Sequence, residues 1–349
     1  TRGAVQQGEL IIFKGNLVDD DKFAKLTSLR RAYEGSLTGL SSYINLLIGQ
    51  LLLISIMFVA LYFFIRQFQA KVLEDITRLT LLLFNILLMV LIARLVVGFF
   101  DVEYIYLVPF PVLAIVLRSF FDTRLALFVY LVSMMLIGFI IPNSFEFLIL
   151  QMVAGIASII SVGNLYKRSQ LFVSSAKIMG VYGITYISLA LVQEGAWENI
   201  NWKNLGYFAG NGFLTLMSFP MIFFQEKIFG FVSDVSLLEL SDTNNPLLRE
   251  LSQKAPGTFQ HSLQVANLAE AATLSAGGNA LLVRTGALYH DIGKMIRPQY
   301  FIENQSTGIN PHDELSFEES AEIIISHVKD GIRMARKNNL PDLLIDFIR

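Results

Sequence analysis

The segment Gly286 to Phe301, GALYHDIGKMIRPQYF, sets His290 beside Asp291, with Lys294 about one helical turn further on. The other histidines of the chain, His261, His312 and His327, also lie after Phe231. Neutral imidazole nitrogen and carboxylate oxygen suit iron, manganese or zinc. The chain has no cysteine, so no thiolate cage can form, and the mixture points to a catalytic site with open positions rather than a closed structural one. A carboxylate bridges two cations where imidazole does so poorly, which makes Asp291 the natural bridge. Two metals about 3.5–4 Å apart would bind a hydroxide nucleophile and phosphoryl oxygens in an in-line displacement. Lys294 would neutralise charge on a phosphate; its bland reading is a lysine serving a helix C-terminus. His312, in NPHDEL, is expected to follow a loop, with Asp313 capping the next helix, and its functional reading is substrate contact. Singly, His261 reads as a helix cap and His327 as a core residue. Together the four ligand positions read as a metal site.

These residues need helices to bring them together. HSLQVANLAEAA carries Val265, Leu268, Ala269 and Ala272 on one apolar face, which predicts a helix starting at His261 with the imidazole on its core side. In NALLVRTGALYHDIGK, Leu281, Leu282, Gly286 and Tyr289 form a buried stripe that delivers His290 and Asp291 at its end. FEESAEIIISHVKDGIRMARK predicts a third helix with His327 near its middle. Upstream, SDVSLLELSDTNNPLLRELSQKAPGTFQ, punctuated by Pro246 and Pro256, predicts one or two connecting helices rather than a flexible tether.

The remainder is a membrane sequence. Of 349 residues 54% are hydrophobic and 16% charged, far from the roughly 25% charged of a soluble domain; mean hydropathy is +0.54. From Tyr43 to Gln225 run about seven apolar stretches, each near the roughly 20 residues that cross a bilayer. They are Tyr43 to Ile65, Leu79 to Gly98, Tyr104 to Leu117, Leu125 to Ile141, Phe145 to Val162, Ala176 to Val192 and Leu205 to Phe224. The third is short and holds Pro109 and Pro111, so a kink or re-entrant path is expected. Connections alternate in charge. Arg66, Lys71, Arg78, Arg118, Arg124, Lys167, Arg168, Lys177 and Lys227 fall on one side; Asp101, Glu103, Glu146, Glu194 and Glu198 fall on the other. Basic residues are retained in the cytoplasm, which places the N-terminal piece outside and everything after Lys227 inside. Arg94, within a span, reads as snorkelling towards Asp101 or Glu103.

Before the first span, GELIIFKGNLV predicts a β-hairpin turning at Lys14-Gly15-Asn16, and DDDKFAKLTSLRRAYEG a helix stopped by Gly35. Two short elements bury little, and the chain opens at Thr1 without a methionine or signal peptide, so it is expected to be a piece of a longer protein. The net charge of -2 gives no basic field for a nucleic acid polymer.

At NNPLLRELSQKAPGTFQHSLQVANLAEAA, GALYHDIGKMIRPQYFIENQ, NPHDELS and SAEIIISHVKDG the chain resembles the HD phosphohydrolase superfamily, and within it the bacterial seven-transmembrane HD family of cyclic-di-AMP phosphodiesterases. The resemblance implies a mainly α protein: a polytopic helix bundle followed by an all-α cytoplasmic HD domain, with a short α+β extracellular remnant at its start. The expected domains are 1–40, 41–228 and 229–349. It implies a binuclear iron or manganese site held by His261, His290, Asp291 and His327, which hydrolyses cyclic di-AMP to linear pApA. The family also draws ligands from a His-His pair and an Asp further along, and the chain stops at Arg349, short of both, so these four are expected to hold one metal, to leave a second without its imidazoles, and to hydrolyse poorly by themselves. Gln260 stands where members often have a second histidine; His261 keeps its place before Ser262. The implied setting is the bacterial plasma membrane, with an unknown extracellular ligand and a homo-oligomer left open. The rival reading is a receptor whose tail binds a nucleotide without hydrolysis. Transport has thin support, since few ionisable groups lie in the spans beyond Arg94.

Overall fold

The computed structural model describes residues 10–13, 16–37, 40–162, 169–305 and 310–349, in two units, Thr1–Gln67 and Phe68–Arg349. In the first unit α1 (Asp20–Leu37) begins with Lys22 N donating to the Asp19 carboxylate at 2.8 Å, and it runs past Gly35, the expected stop. Among the described residues there is no strand: Leu10 to Phe13 and Asn16 to Asp19 are irregular, while Lys14 and Gly15 of the expected turn lie outside the described residues. Asn16 N still donates to Phe13 O at 3.1 Å. An isolated two-stranded hairpin is marginal in water, in keeping with the irregular backbone of the described residues. The span α2 (Leu40–Phe68) follows.

The second unit opens with α3 (Ala70–Glu74) and α4 (Ile76–Phe99), where Asp75 caps Thr77 N and Arg78 N. A 3-10 turn, Val102–Leu107, leads to α5 (Pro111–Phe120) with proline in its first turn. The prolines therefore break the third span. Phe110 and Leu113 to Leu117 are completely buried, and the broken backbone is answered inside the protein, because Asn211 Nδ2 donates to Tyr106 O at 3.1 Å and to Val108 O at 2.7 Å. Then come α6 (Thr123–Gly138), α7 (Ser144–Val162), α8 (Ser169–Glu194), α9 (Lys203–Leu214) and α10 (Ser218–Phe229), the last two joined by the turn Thr215–Met217. Residues 163–168, with Lys167 and Arg168, lie outside the described residues. Among the described residues six apolar segments are long enough to cross a bilayer: Tyr43–Phe68, Ile76–Phe99, Val102–Phe120, Ser144–Ser161, Leu171–Gln193 and Lys203–Phe229. The shorter α6 is the counterpart of the remaining expected span. This is a membrane protein.

Inside the bundle Asn85 and Gln225 exchange hydrogen bonds of 3.0 and 2.8 Å, both fully enclosed. Asn85→Leu alone strands the Gln225 amide and is expected to lower bundle stability by about 1 kcal/mol. Adding Gln225→Leu should recover most of that loss, as read by equilibrium unfolding in mild detergent.

Gly230, at φ 69°, ends α10 in the left-handed conformation. Directly after it, the Glu226 carboxylate accepts from Ser233 N at 2.7 Å and from Ser236 Oγ at 2.9 Å, and Arg118 reaches Asp234 at 3.6 Å. These contacts fasten α11 (Asp234–Leu240) to the last span. On its other side Leu237 O accepts from Thr285 Oγ1 at 3.3 Å and Leu240 O from Tyr289 OH at 2.7 Å. The rest is helical: α12 (Pro246–Lys254), α13 (Pro256–Ala276), α14 (Ala280–Tyr289), α15 (Phe317–Lys337) and α16 (Asp342–Ile345). Leu248, Leu251, Leu288, Tyr289, Ile292, Leu344 and Ile345 make the core. So α11 and α12 are the connecting helices that the sequence predicts.

The buried face of α13 differs from expectation. It starts at Pro256, a turn before His261, and buries Thr258, Ser262 and Ala266, while Leu268 is 74% exposed. Small side chains on that face let α13 and α14 pack closely, and the crossing overrides the apolar stripe.

Candidate metal centre

Side chains from α13 and α14 meet at one carboxylate oxygen of Asp291, and α15 adds His327 on the other. His290 is the C-terminal cap of α14, Asp291 follows it, and the 3-10 turn Ile292–Ile296 carries Lys294 back beneath them. His261 comes from the second turn of α13 and His327 from the middle of α15. Asp291 is the hub, with its side chain 8% exposed. Its Oδ2 lies 3.1 Å from His290 Nε2, 4.0 Å from His261 Nε2 and 2.8 Å from Lys294 Nζ; its Oδ1 lies 3.5 Å from His327 Nε2. One ligand atom from each of His261, His290 and Asp291 falls within 4.8 Å of the others.

The imidazoles are oriented for coordination. His290 Nδ1–H donates to Ala287 O at 2.7 Å, and His327 Nδ1–H donates to Ile324 O. A carbonyl accepts only from a protonated nitrogen, so each bond keeps a proton on Nδ1, and in the neutral ring Nε2 is the nitrogen left free to coordinate. Phe301 packs edge-on to His327 and sits 5.0 Å from Lys294 Nζ. The donor set and its orientation fit a metal ion.

Glu303, Thr258 and Asn304 were not singled out from sequence. Lys294 Nζ reaches Glu303 at 2.9 Å, Thr258 Oγ1 donates to the same carboxylate oxygen at 2.9 Å, and Thr258 N donates to Asn304 Oδ1 at 3.1 Å. This ties the start of α13 to the turn after Phe301. Gly257 makes the tie possible, since a Cβ there would lie 1.7 Å from Glu303 O.

His312 joins a separate network. Its Nε2 pairs with Tyr300 O at 2.8 Å and its Nδ1 with Ser320 Oγ at 2.7 Å, which fastens the turn Pro311–Glu314 to α15. Asp313 does not cap that helix; Ser316 and Glu319 do, as a capping box, and Asp313 accepts instead from Asn310.

Burial pushes the Asp291 carboxyl up, but hydrogen bonds from His290 and Lys294 outweigh it and hold it well below the usual carboxylate range. For His290 burial acts downward, and the bonds to Asp291 and Ala287 prevail, raising it above its ordinary 6.5. Without metal, the His290 contribution to stability is full below 6.5 and is lost as pH rises through the raised value; the Asp291 contribution is present above the ordinary carboxylate value and is lost as pH falls through the lowered one. Coordination requires His290 to give up its Nε2 proton. Metal affinity is therefore expected to rise by up to about tenfold per pH unit towards the His290 value and then level off. Calorimetry in buffers of differing protonation enthalpy counts the released proton; a pH-independent affinity would remove His290 from the ligand set.

A helical unit presenting His, His-Asp and His to one point, fastened to a polytopic bundle, defines a membrane-attached HD domain. Residues 44–233 match the family model described as 7TM receptor with intracellular HD hydrolase, and residues 258–349 match that of the HD domain. The chain belongs to this family of seven-transmembrane HD proteins. It is 35% identical over 98% of its length to the cyclic-di-AMP phosphodiesterase PgpH of Bacillus subtilis (strain 168), covering 49% of that protein. To the protein of the same name from Listeria monocytogenes serotype 1/2a (strain 10403S) it is 31% identical over 98% of its length, covering 48%. The chain thus spans about half the length of these curated relatives. A crystal structure of the L. monocytogenes PgpH HD domain in complex with cyclic di-AMP aligns to 31% of this chain and 50% of that one, at 54% identity and a TM-score of 0.30. The cluster on Asp291 is in keeping with the metal dependence of HD hydrolases.

Proposed function

We propose that this is a metal-dependent phosphodiesterase that hydrolyses cyclic di-AMP to pApA, coupled to a transmembrane sensor. The observation that carries the reading is the gathering of His261, His290 and His327 Nε2 atoms around the buried Asp291 carboxylate. The names of the curated relatives support the substrate. In this reading His261, His290, Asp291 and His327 hold iron or manganese. The bound metal supplies Lewis-acid polarisation of the phosphoryl group and a nucleophile at neutral pH. Asp291 stays ionised throughout the neutral range and so remains a ligand without competing for protons. Lys294, raised in pKa despite its burial, keeps its charge beside Asp291, where it would neutralise a phosphate; Glu303 holds it in place.

The domains are 1–40 outside the cell, 41–228 in the bacterial plasma membrane and 229–349 in the cytoplasm. The segregation of charge supports this orientation, with Arg78 and Arg118 beside Phe231 and Asp234 at the HD end of the bundle and Glu103 and Glu146 lining a cavity at the other. The test is incubation of the full-length protein, loaded with iron or manganese, with cyclic di-AMP. Formation of pApA that stops on chelation is expected; tight binding with no product would make the protein a receptor.

A further inference from the structure

We propose that the membrane bundle holds a binding site for a primary ammonium group at its end remote from the HD domain, independently of whether that domain is hydrolytic. Arg78 and Phe84, near the start of α4, contact Phe231 and Phe229 at the HD end; at the other end of α4, Phe100 packs against Tyr104. There a cavity of about 270 Å³ opens, with Glu103, Tyr106, Glu146, Tyr186 and Asn204 on its wall.

The wall offers acceptors in need of donors. Glu146 is 8% exposed, and its two oxygens accept from Tyr106 OH at 2.8 Å and Asn143 Nδ2 at 2.6 Å. Both donors are neutral, and among the described residues no Lys, Arg or His forms an ion pair with it, so a buried carboxyl group has no cationic partner. Asn204 is 7% exposed. Its Nδ2 donates to Tyr186 OH at 3.0 Å and Tyr186 OH donates to Asn201 O at 3.1 Å, which leaves Asn204 Oδ1 buried with no hydrogen-bond partner. With Nδ2 on Tyr186, that hydroxyl keeps its own bond to Asn201 O. Glu103 supplies a second carboxylate, held by Lys203 at 3.1 Å. Tyr106 and Tyr186 both pack on Phe208 with ring centroids 5.4 Å apart, giving a fixed aromatic surface.

An ammonium group brings three donors, no acceptor and a positive charge, the complement of this wall, and aromatic faces favour such cations. The cavity is several times the roughly 30 Å³ share of one water, too roomy for a bare ion. The same group is borne by soluble amines and by aminophospholipid headgroups.

Both tryptophans of the chain, Trp197 and Trp202, lie in the segment that leads to Asn204, so intrinsic fluorescence reads this site. The full chain in phosphatidylcholine nanodiscs would be titrated with ethanolamine and putrescine, with ethylene glycol as the neutral counterpart. A second set of nanodiscs would contain increasing phosphatidylethanolamine. A saturable change is expected with a soluble amine in the first arm or with the lipid in the second, none with ethylene glycol, and binding about tenfold or more weaker in Glu146→Gln. Asn204→Leu, close in volume, removes the unpaired acceptor and should also weaken binding, which keeps the test decisive if Glu146→Gln fails to fold. Silence in both arms, an equal response to ethylene glycol, or parental affinity in the variants that fold would overturn the site.

Discussion

On the proposed function, Asp291→Ala is expected to remove metal and cyclic-di-AMP hydrolysis together, with turnover falling by about a hundredfold or more. The size follows from the position of the carboxylate, which faces Lys294 at 2.8 Å, His290 at 3.1 Å, His327 at 3.5 Å and His261 at 4.0 Å from a side chain that is itself buried. Taking one partner out of such a group leaves uncompensated charge, which costs the fold about 3–5 kcal/mol, and it also removes the one carboxylate of the ligand set. Asp291→Asn keeps the shape and loses the charge, and should fall between the two. Elemental analysis and chromatography of the linear product from the full-length variant check the result. Retention of both metal and turnover would reject Asp291 as a ligand.

The second large effect is expected at a residue with no side chain. A Cβ on Gly293 would lie 1.8 Å from His327 O and 2.6 Å from Gly331 N. Those neighbours are backbone, so no rotamer change relieves the clash, and the turn after Asp291 must part from α15. Gly293→Ala is expected to cost about 3 kcal/mol, the upper end for overpacking, and to weaken metal binding at least tenfold by moving His327 away from Asp291. Thermal unfolding with and without metal measures both. Gly286→Ala is the comparison: the three atoms nearest its Cβ, at 2.3–2.6 Å, all belong to the Phe347 side chain, so it too forces a neighbour to shift, but a side chain rather than the backbone that carries His327.

The spans were legible in sequence because lipid forces each crossing to be apolar and long enough. The break at Pro109 and Pro111 was legible too; that Asn211, a hundred residues later, would answer its exposed carbonyls was not, because nothing local links the two. His290, Asp291, Lys294 and His327 stand on elements that their own periodicity defines, and the structure brings them together. The setting of His261 was misjudged because α13 buries its small residues, which no hydrophobic stripe reveals. Glu303 and Asn304 sit in a short 3-10 turn with no periodic signal and meet Thr258 only through the fold. The hairpin differs in the opposite way: its alternation is present in the sequence, but the described part of it, Leu10 to Phe13 and Asn16 to Val18, is irregular.

The seam between the apolar bundle and the HD domain is bonded on both of its faces. Glu226 grips the start of α11, and two residues of α14, Thr285 and Tyr289, grip its carbonyls, so the bilayer's last helix and the histidine beside Tyr289 are joined by a rivet rather than a leash. Any slide or roll of that helix must reappear at His290 or shear one of these bonds.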